Sequence, residues 1–127
     1  KSLREREIIG ELKELNVGEY ARSELEITED MVLEKAKVAR GHFLFAQANS
    51  LAMALVDAEI ALTGSAEIRY LRPVKLGETV TAYGKVVNRQ HNKYNVNVQG
   101  KVGQEEVYEG HWVLFGVTSD RKWGNMA

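Results

Sequence analysis

Residues 41–56 read GHFLFAQANSLAMALV, an unbroken run without a charged side chain. Its apolar residues, among them Phe43, Leu44, Phe45, Leu51, Met53, Leu55 and Val56, fall all round a helical wheel. A helix with no polar face belongs in an interior. The run is shorter than the roughly 20 residues that a membrane span requires. It predicts one buried helix in a soluble domain.

Downstream, the pattern changes period. Ala66, Ile68 and Tyr70 alternate with Glu67, Arg69 and Leu71, and residues 59–63 form a short run of their own. Val80, Ala82, Gly84 and Val86 alternate with Thr79, Thr81, Tyr83 and Lys85, and Val96 and Val98 with Asn95, Asn97 and Gln99. Residues 107–117 are mostly apolar, and residues 88–92 and 103–105 supply turns. These are strand signals. One buried helix followed by a sheet that wraps it is an α+β pattern. Upstream, residues 20–27 read weakly as a strand, and residues 28–40 as irregular with one helical turn after Thr28. Residues 2–15 read as an amphipathic helix. Ser2 and Glu5 fit a capping box, Ile8, Ile9, Leu12 and Leu15 form its stripe, and Asn16 and Gly18 end it.

The chain has 127 residues, enough for one domain with a core. It has no cysteine, which excludes a disulfide scaffold, a thiolate nucleophile and thiolate metal ligands. That fits a reducing, cytoplasmic location. The net charge of -1 excludes a globally basic nucleic-acid coat. Within it, residues 69–101 carry seven Lys and Arg against Glu78 alone, a local net of +6. Arg69, Arg72, Lys75 and Arg89 of that segment are candidates for phosphates. The N-terminus has charges where a signal peptide needs apolar residues and lacks an initiating Met, so a fragment or processed chain is expected. No phosphate loop, dinucleotide fingerprint, zinc-protease or serine-hydrolase motif occurs. No cofactor or metal is expected.

Polar groups inside the apolar run stand out, because burying them unpaired is costly. They are His42, Gln47, Asn49 and Ser50, with Arg40 just before the helix. A helix N-terminus favours an anion, Gly41 permits close approach to the backbone, and a guanidinium grips a carboxylate in bidentate fashion. Arg40, Gly41 and Asn49 could therefore hold a carboxylate and a neighbouring carbonyl. The plainer alternatives are an Arg40 in a structural ion pair, an Asn49 satisfied within the core, and a His42 that packs or caps.

The string ARGHFLFAQANSLA over residues 39–52 resembles the helix of hotdog-fold proteins, and residues 68–80 resemble the strand–turn–strand that follows it in acyl-CoA thioesterases of that fold. In the thioesterase pattern a His stands at the place of Arg40 and an acid at the place of Asn49. An amide cannot act as base or nucleophile as a carboxylate does. The chain more closely resembles the effector-binding domains of FapR-type transcriptional repressors of fatty acid and phospholipid biosynthesis, up to about Val117. The tail, residues 118–127, matches nothing.

That resemblance implies a hotdog dimer that binds malonyl-CoA, or the malonyl carrier-protein form, in a tunnel between protomers. Ligand contacts are implied for Arg40, Gly41, His42, Phe43 and Asn49, the last contributed across the dimer. It implies residues 1–18 as a linker helix and residues 19–127 as the effector domain. Operator DNA would be bound only through a helix-turn-helix domain absent from this chain, and released when the ligand binds. No catalysis and no membrane contact are implied. Two other classes compete: an acyl-CoA thioesterase relying on His42 or Glu67, and a DNA-binding module, for which the basic segment has the wrong, strand-like pattern.

Overall fold

Alternation along residues 80–98 puts Val80, Ala82, Val96 and Val98 on one side of their strands, and all four are buried. They face the helix. A computed structural model describes residues 7–118. In chain order these form β1 (Glu11–Asn16), β2 (Tyr20–Glu26), a single 3-10 turn (Glu29–Met31), α1 (Gly41–Ala54), β3 (Ile60–Tyr70), β4 (Thr79–Gln90), β5 (Lys93–Val102) and β6 (Glu105–Val117). The strands make one sheet in the order β1-β2-β4-β5-β6-β3, every neighbouring pair antiparallel. The edges are β1 and β3.

α1 lies across one face of this sheet. Leu44, Ala48, Leu51, Ala52 and Ala54 are buried, and Leu55 and Val56 continue the contact past the helix end. The helix meets β4 at Gly84, where a Cβ would stand 3.2 Å from Leu55 Cδ1 and 3.3 Å from Leu51 Cδ2. Across the sheet, Tyr94, Tyr108, Trp112 and Leu114 complete the core with no more than 1% exposure. The Tyr108 ring lies over Gly100, where a Cβ would come within 2.3 Å of it. No described helix is long and apolar enough to cross a membrane.

The N-terminal expectation needs correction. Residues 11–16 are a strand, not the second half of a helix, and they belong to the same sheet as the rest of the domain. Of the remainder of the proposed helix, residues 7–10 form a turn and a bend, and residues 2–6 lie outside the described residues. A bulge explains the misreading. β1 pairs Leu12 with Ser23 and Leu15 with Ala21, and its register shifts between Leu12 and Glu14. The extra residue lets two side chains three apart share the core face, a spacing that otherwise signals a helix. Asn16 and Gly18 form the hairpin to β2, with Glu19 N–H donating to Asn16 O and Gly18 N–H to Leu55 O. Ile8 is buried all the same.

A second bulge corrects β3. Residues 59–63 and 66–71 read as separate runs but form one strand, interrupted where the register with β6 shifts between Thr63 and Ser65.

Candidate functional site

Arg40 is the N-cap of α1, with extended backbone (φ -70°, ψ 133°) and no capping side-chain bond. Its amide donates to Met31 O at 2.8 Å, tying the helix start to the preceding turn. The Arg40 side chain is exposed and makes no salt bridge among the described residues. Among the described residues, then, no carboxylate makes the structural ion pair that was the plainer alternative. Behind Arg40, the Tyr70 hydroxyl donates to Gly41 O at 3.0 Å. A Cβ on residue 41 would stand 3.3 Å from the Tyr70 ring and hydroxyl, so glycine lets that ring pack close against the helix start. Burial pushes the Tyr70 phenol pKa up. His42 is exposed and its ring stacks obliquely on Phe43, with centroids 4.3 Å apart.

The other polar residues of α1 are engaged. Gln47 is fully buried; its Nε2 donates to Val80 O at 3.0 Å and its Oε1 accepts from the Tyr108 hydroxyl at 3.0 Å. Burial pushes the Tyr108 phenol pKa far up, with the nearby Tyr70 adding to it. Ser50 Oγ donates to Gln47 O and accepts from the Ile9 amide, both at 3.0 Å. Asn49 Oδ1 accepts from Trp112 Nε1 and from Thr63 Oγ1, each at 3.0 Å. Its Nδ2 reaches the Met53 sulfur at 3.5 Å. Asn49, Ala46, Met53, Ile60 and Ala61 line a hollow of about 790 Å³ between α1 and the β3 edge.

The expected cluster is not assembled within one chain. Arg40 and Asn49 are nine residues apart, which on a helix is about 13 Å of rise. Gly41, His42 and Phe43 share the Arg40 end. Neither Thr63, Trp112 nor Tyr70 was singled out by the sequence; the only signal was the Thr63-Gly64-Ser65 interruption of a strand pattern.

The basic segment is largely committed to structure. Arg72 is held by both oxygens of Glu78, at 3.0 and 3.2 Å, with Glu105 Oε1 at 3.0 Å from its Nε. Hydrogen bonding to Glu78, then its charge, raises the Arg72 pKa, and Arg72 with the Lys75 amide holds the Glu78 carboxyl below the usual range. Arg69 pairs with Glu109, and the Arg89 guanidinium lies 4.6 Å above the Tyr94 ring. Glu67 lines the hollow on the sheet face away from α1, with His111 and Arg69. That places it on the wrong side to serve as a base for this site. Among the described residues no group of three His, Asp or Glu could hold a metal ion.

A six-stranded antiparallel sheet wrapped on one helix is the hotdog fold, and residues 37–109 match the Thioesterase superfamily. The chain belongs to that family. Within it, the chain is 46% identical to "Transcription factor FapR" of Bacillus subtilis (strain 168) over 117 residues, covering 91% of this chain and 62% of that protein. Against "Transcription factor FapR" of Thermoanaerobacter sp. (strain X514), identity is 42% over 114 residues, covering 90% and 57%. The chain thus spans about three-fifths of the length of these relatives. A Pyrococcus horikoshii protein, PH1136, superposes with TM-score 0.82 at 29% identity, covering 88% of this chain and 85% of that one. A Streptococcus mutans UA159 protein solved bound to acetyl CoA superposes with TM-score 0.76 at 20% identity, covering 84% and 86%.

Proposed function

We propose that this chain is the effector-binding part of a transcriptional repressor of fatty acid and phospholipid biosynthesis, and that its effector is malonyl-CoA or the malonyl carrier-protein thioester. Arg40 carries this reading. It is an exposed guanidinium without a carboxylate partner among the described residues, set where a helix begins. A guanidinium beside helix amides suits a carboxylate. Gly41 offers its backbone amide at the helix start, and Phe43 and His42 supply the adjoining wall.

The protein acts as a homodimer. Strand β3 is an 11-residue edge with one side unpaired among the described residues, the natural place for a second copy to add. The 13 Å between Arg40 and Asn49 within one chain fits a site shared between copies, with Arg40 at the acyl carboxylate and Asn49 contributed across the dimer. The acetyl-CoA complex of the Streptococcus mutans protein supports the view that this fold accommodates a CoA thioester. Binding favours the state released from operator DNA, by as much as the ligand prefers that state. The chain does not hydrolyse its ligand, because the helix offers an amide at Asn49 where catalysis needs a carboxylate.

Calorimetry with malonyl-CoA and acetyl-CoA tests this. The wild-type chain should prefer malonyl-CoA, and Arg40→Ala should lose about 2–5 kcal/mol with malonyl-CoA alone. Equal affinity for the two thioesters would sink the carboxylate assignment. Steady release of free CoA would sink the non-enzymatic one.

A further inference from the structure

The bulge in β3 decides which side chains reach α1. Residues paired across a sheet share a face. β3 pairs Ala66 with Trp112, and Thr63 with Leu114, while Gly64 is skipped. Trp112 and Leu114 are buried on the helix side. The helix-facing residues of β3 therefore switch from even numbers (66, 68, 70) to odd ones (63, 61) across the bulge. Without the extra residue Thr63 would point away from α1. Gly64 suits the position, since a Cβ there would come within 2.6 Å of the Phe115 ring. Trp112 is given its place similarly: a Cβ at Gly110 would stand 2.5 Å from the indole.

Both side chains converge on one atom, Asn49 Oδ1. An indole N–H is a donor only. The atom it meets must be the amide oxygen, so the orientation of the Asn49 amide is dictated rather than free. Its NH2 group is turned the other way, where its one described acceptor is a thioether sulfur, a weak one, at 3.5 Å. Asn49 and Met53 both line the hollow with Ala46, Ile60 and Ala61, on the side to which this NH2 group is turned.

We infer that Trp112 and Thr63 are positioning residues that lock Asn49 as a hydrogen-bond donor toward the ligand cavity. The ligand atom it meets is an acceptor, a thioester or amide carbonyl oxygen of the acyl-CoA. This rests on the proposed function for the ligand and on the geometry for the lock. Two neighbouring strands far apart in the chain, β3 and β6, are thereby enlisted to fix one side chain, and the selected feature is the carbonyl that all acyl-CoA esters share, whereas Arg40 selects the acid.

The test is a double-mutant cycle read with malonyl-CoA and acetyl-CoA. Thr63→Ala and Trp112→Phe should each weaken both thioesters by about 3–10-fold, the worth of one hydrogen bond. Thr63→Ser should restore affinity. In an Asn49→Ala background neither substitution should weaken binding further, which a merely structural role would not predict. Equal losses in both backgrounds, or no loss from either substitution where Asn49→Ala does weaken binding, would overturn the lock. Thr63 is exposed, so its variants keep the test alive if Trp112→Phe does not fold. The side-chain NH2 resonances of Asn49 in the free protein separate the two claims. If no CoA thioester binds at all, the proposed function fails. The lock then stands if Thr63→Ala and Trp112→Phe shift that NH2 pair and its exchange rate, and falls if they do not.

Discussion

Tyr108→Phe isolates one buried hydrogen bond without disturbing the packing around it. Phenylalanine keeps the ring that fills the space over Gly100 and removes only the hydroxyl that donates to Gln47 Oε1 at 3.0 Å. Both residues are 0% exposed, so water cannot replace the lost donor. A buried acceptor left unpaired costs about 1–3 kcal/mol. At about 4 °C per kcal/mol for a domain of this size, the midpoint should fall by about 4–12 °C. Urea denaturation with coincident fluorescence and circular dichroism reads the same loss as a shift in midpoint at constant slope. A pH series adds an independent check. Burial raises the Tyr108 pKa above the unfolded value of 10.0, so below pH 10 the protonated phenol is common to both states. Above pH 10 the unfolded chain releases a proton that the folded one retains, and stability falls as pH rises. Tyr108→Phe should flatten that alkaline slope. A variant as stable as wild type at pH 7, with an unchanged slope above pH 10, would refute the claim that Gln47 depends on this phenol.

Glu78 has the opposite sign. Arg72 and the Lys75 amide lower its folded pKa below 4.5, so its contribution is present above pH 4.5 and is lost as pH falls through the folded value. Glu78→Gln should cost stability at pH 7 and reduce the further loss as pH falls below 4.5, measured by urea midpoints; parallel curves for the two proteins would contradict it. Gly100→Ala forces a methyl within 2.3 Å of the Tyr108 ring, and overpacking of that kind costs about 1–3 kcal/mol in a thermal melt. An unaltered melting temperature would mean that the ring moves freely. Deleting Lys13 removes the extra residue of the β1 bulge and leaves Leu12 and Leu15 two apart, still on one face of a strand. Its ion pairs with Glu11 and Glu24 are exposed and worth little, so the deletion should cost under about 1 kcal/mol. A helix would instead swing Leu15 off its stripe, and a loss of several kcal/mol would argue for one.

What the chain order conceals here is conversion between periods. α1 was legible because sixteen uncharged positions leave a helix no solvent face, and β4 and β5 because their alternation is unbroken from residue 79 to 86 and from 94 to 99. β1 was misread because a bulge gives a strand the three-residue spacing of a helix. β3 was split because Gly64 breaks its alternation, although that break is what turns Thr63 inward. Asn49 was legible as a polar residue in an apolar run, yet its partners are 14 and 63 residues away and are brought to it by the β3–β6 pairing. Arg40 and Asn49 were grouped by chemistry, which ignores the rise of the helix between them. The same bulges that defeat pattern reading therefore build the features on which function is argued. One hides Leu12 and Leu15 against β2. The other supplies a donor that, with an indole N–H, leaves the amide of α1 a single orientation.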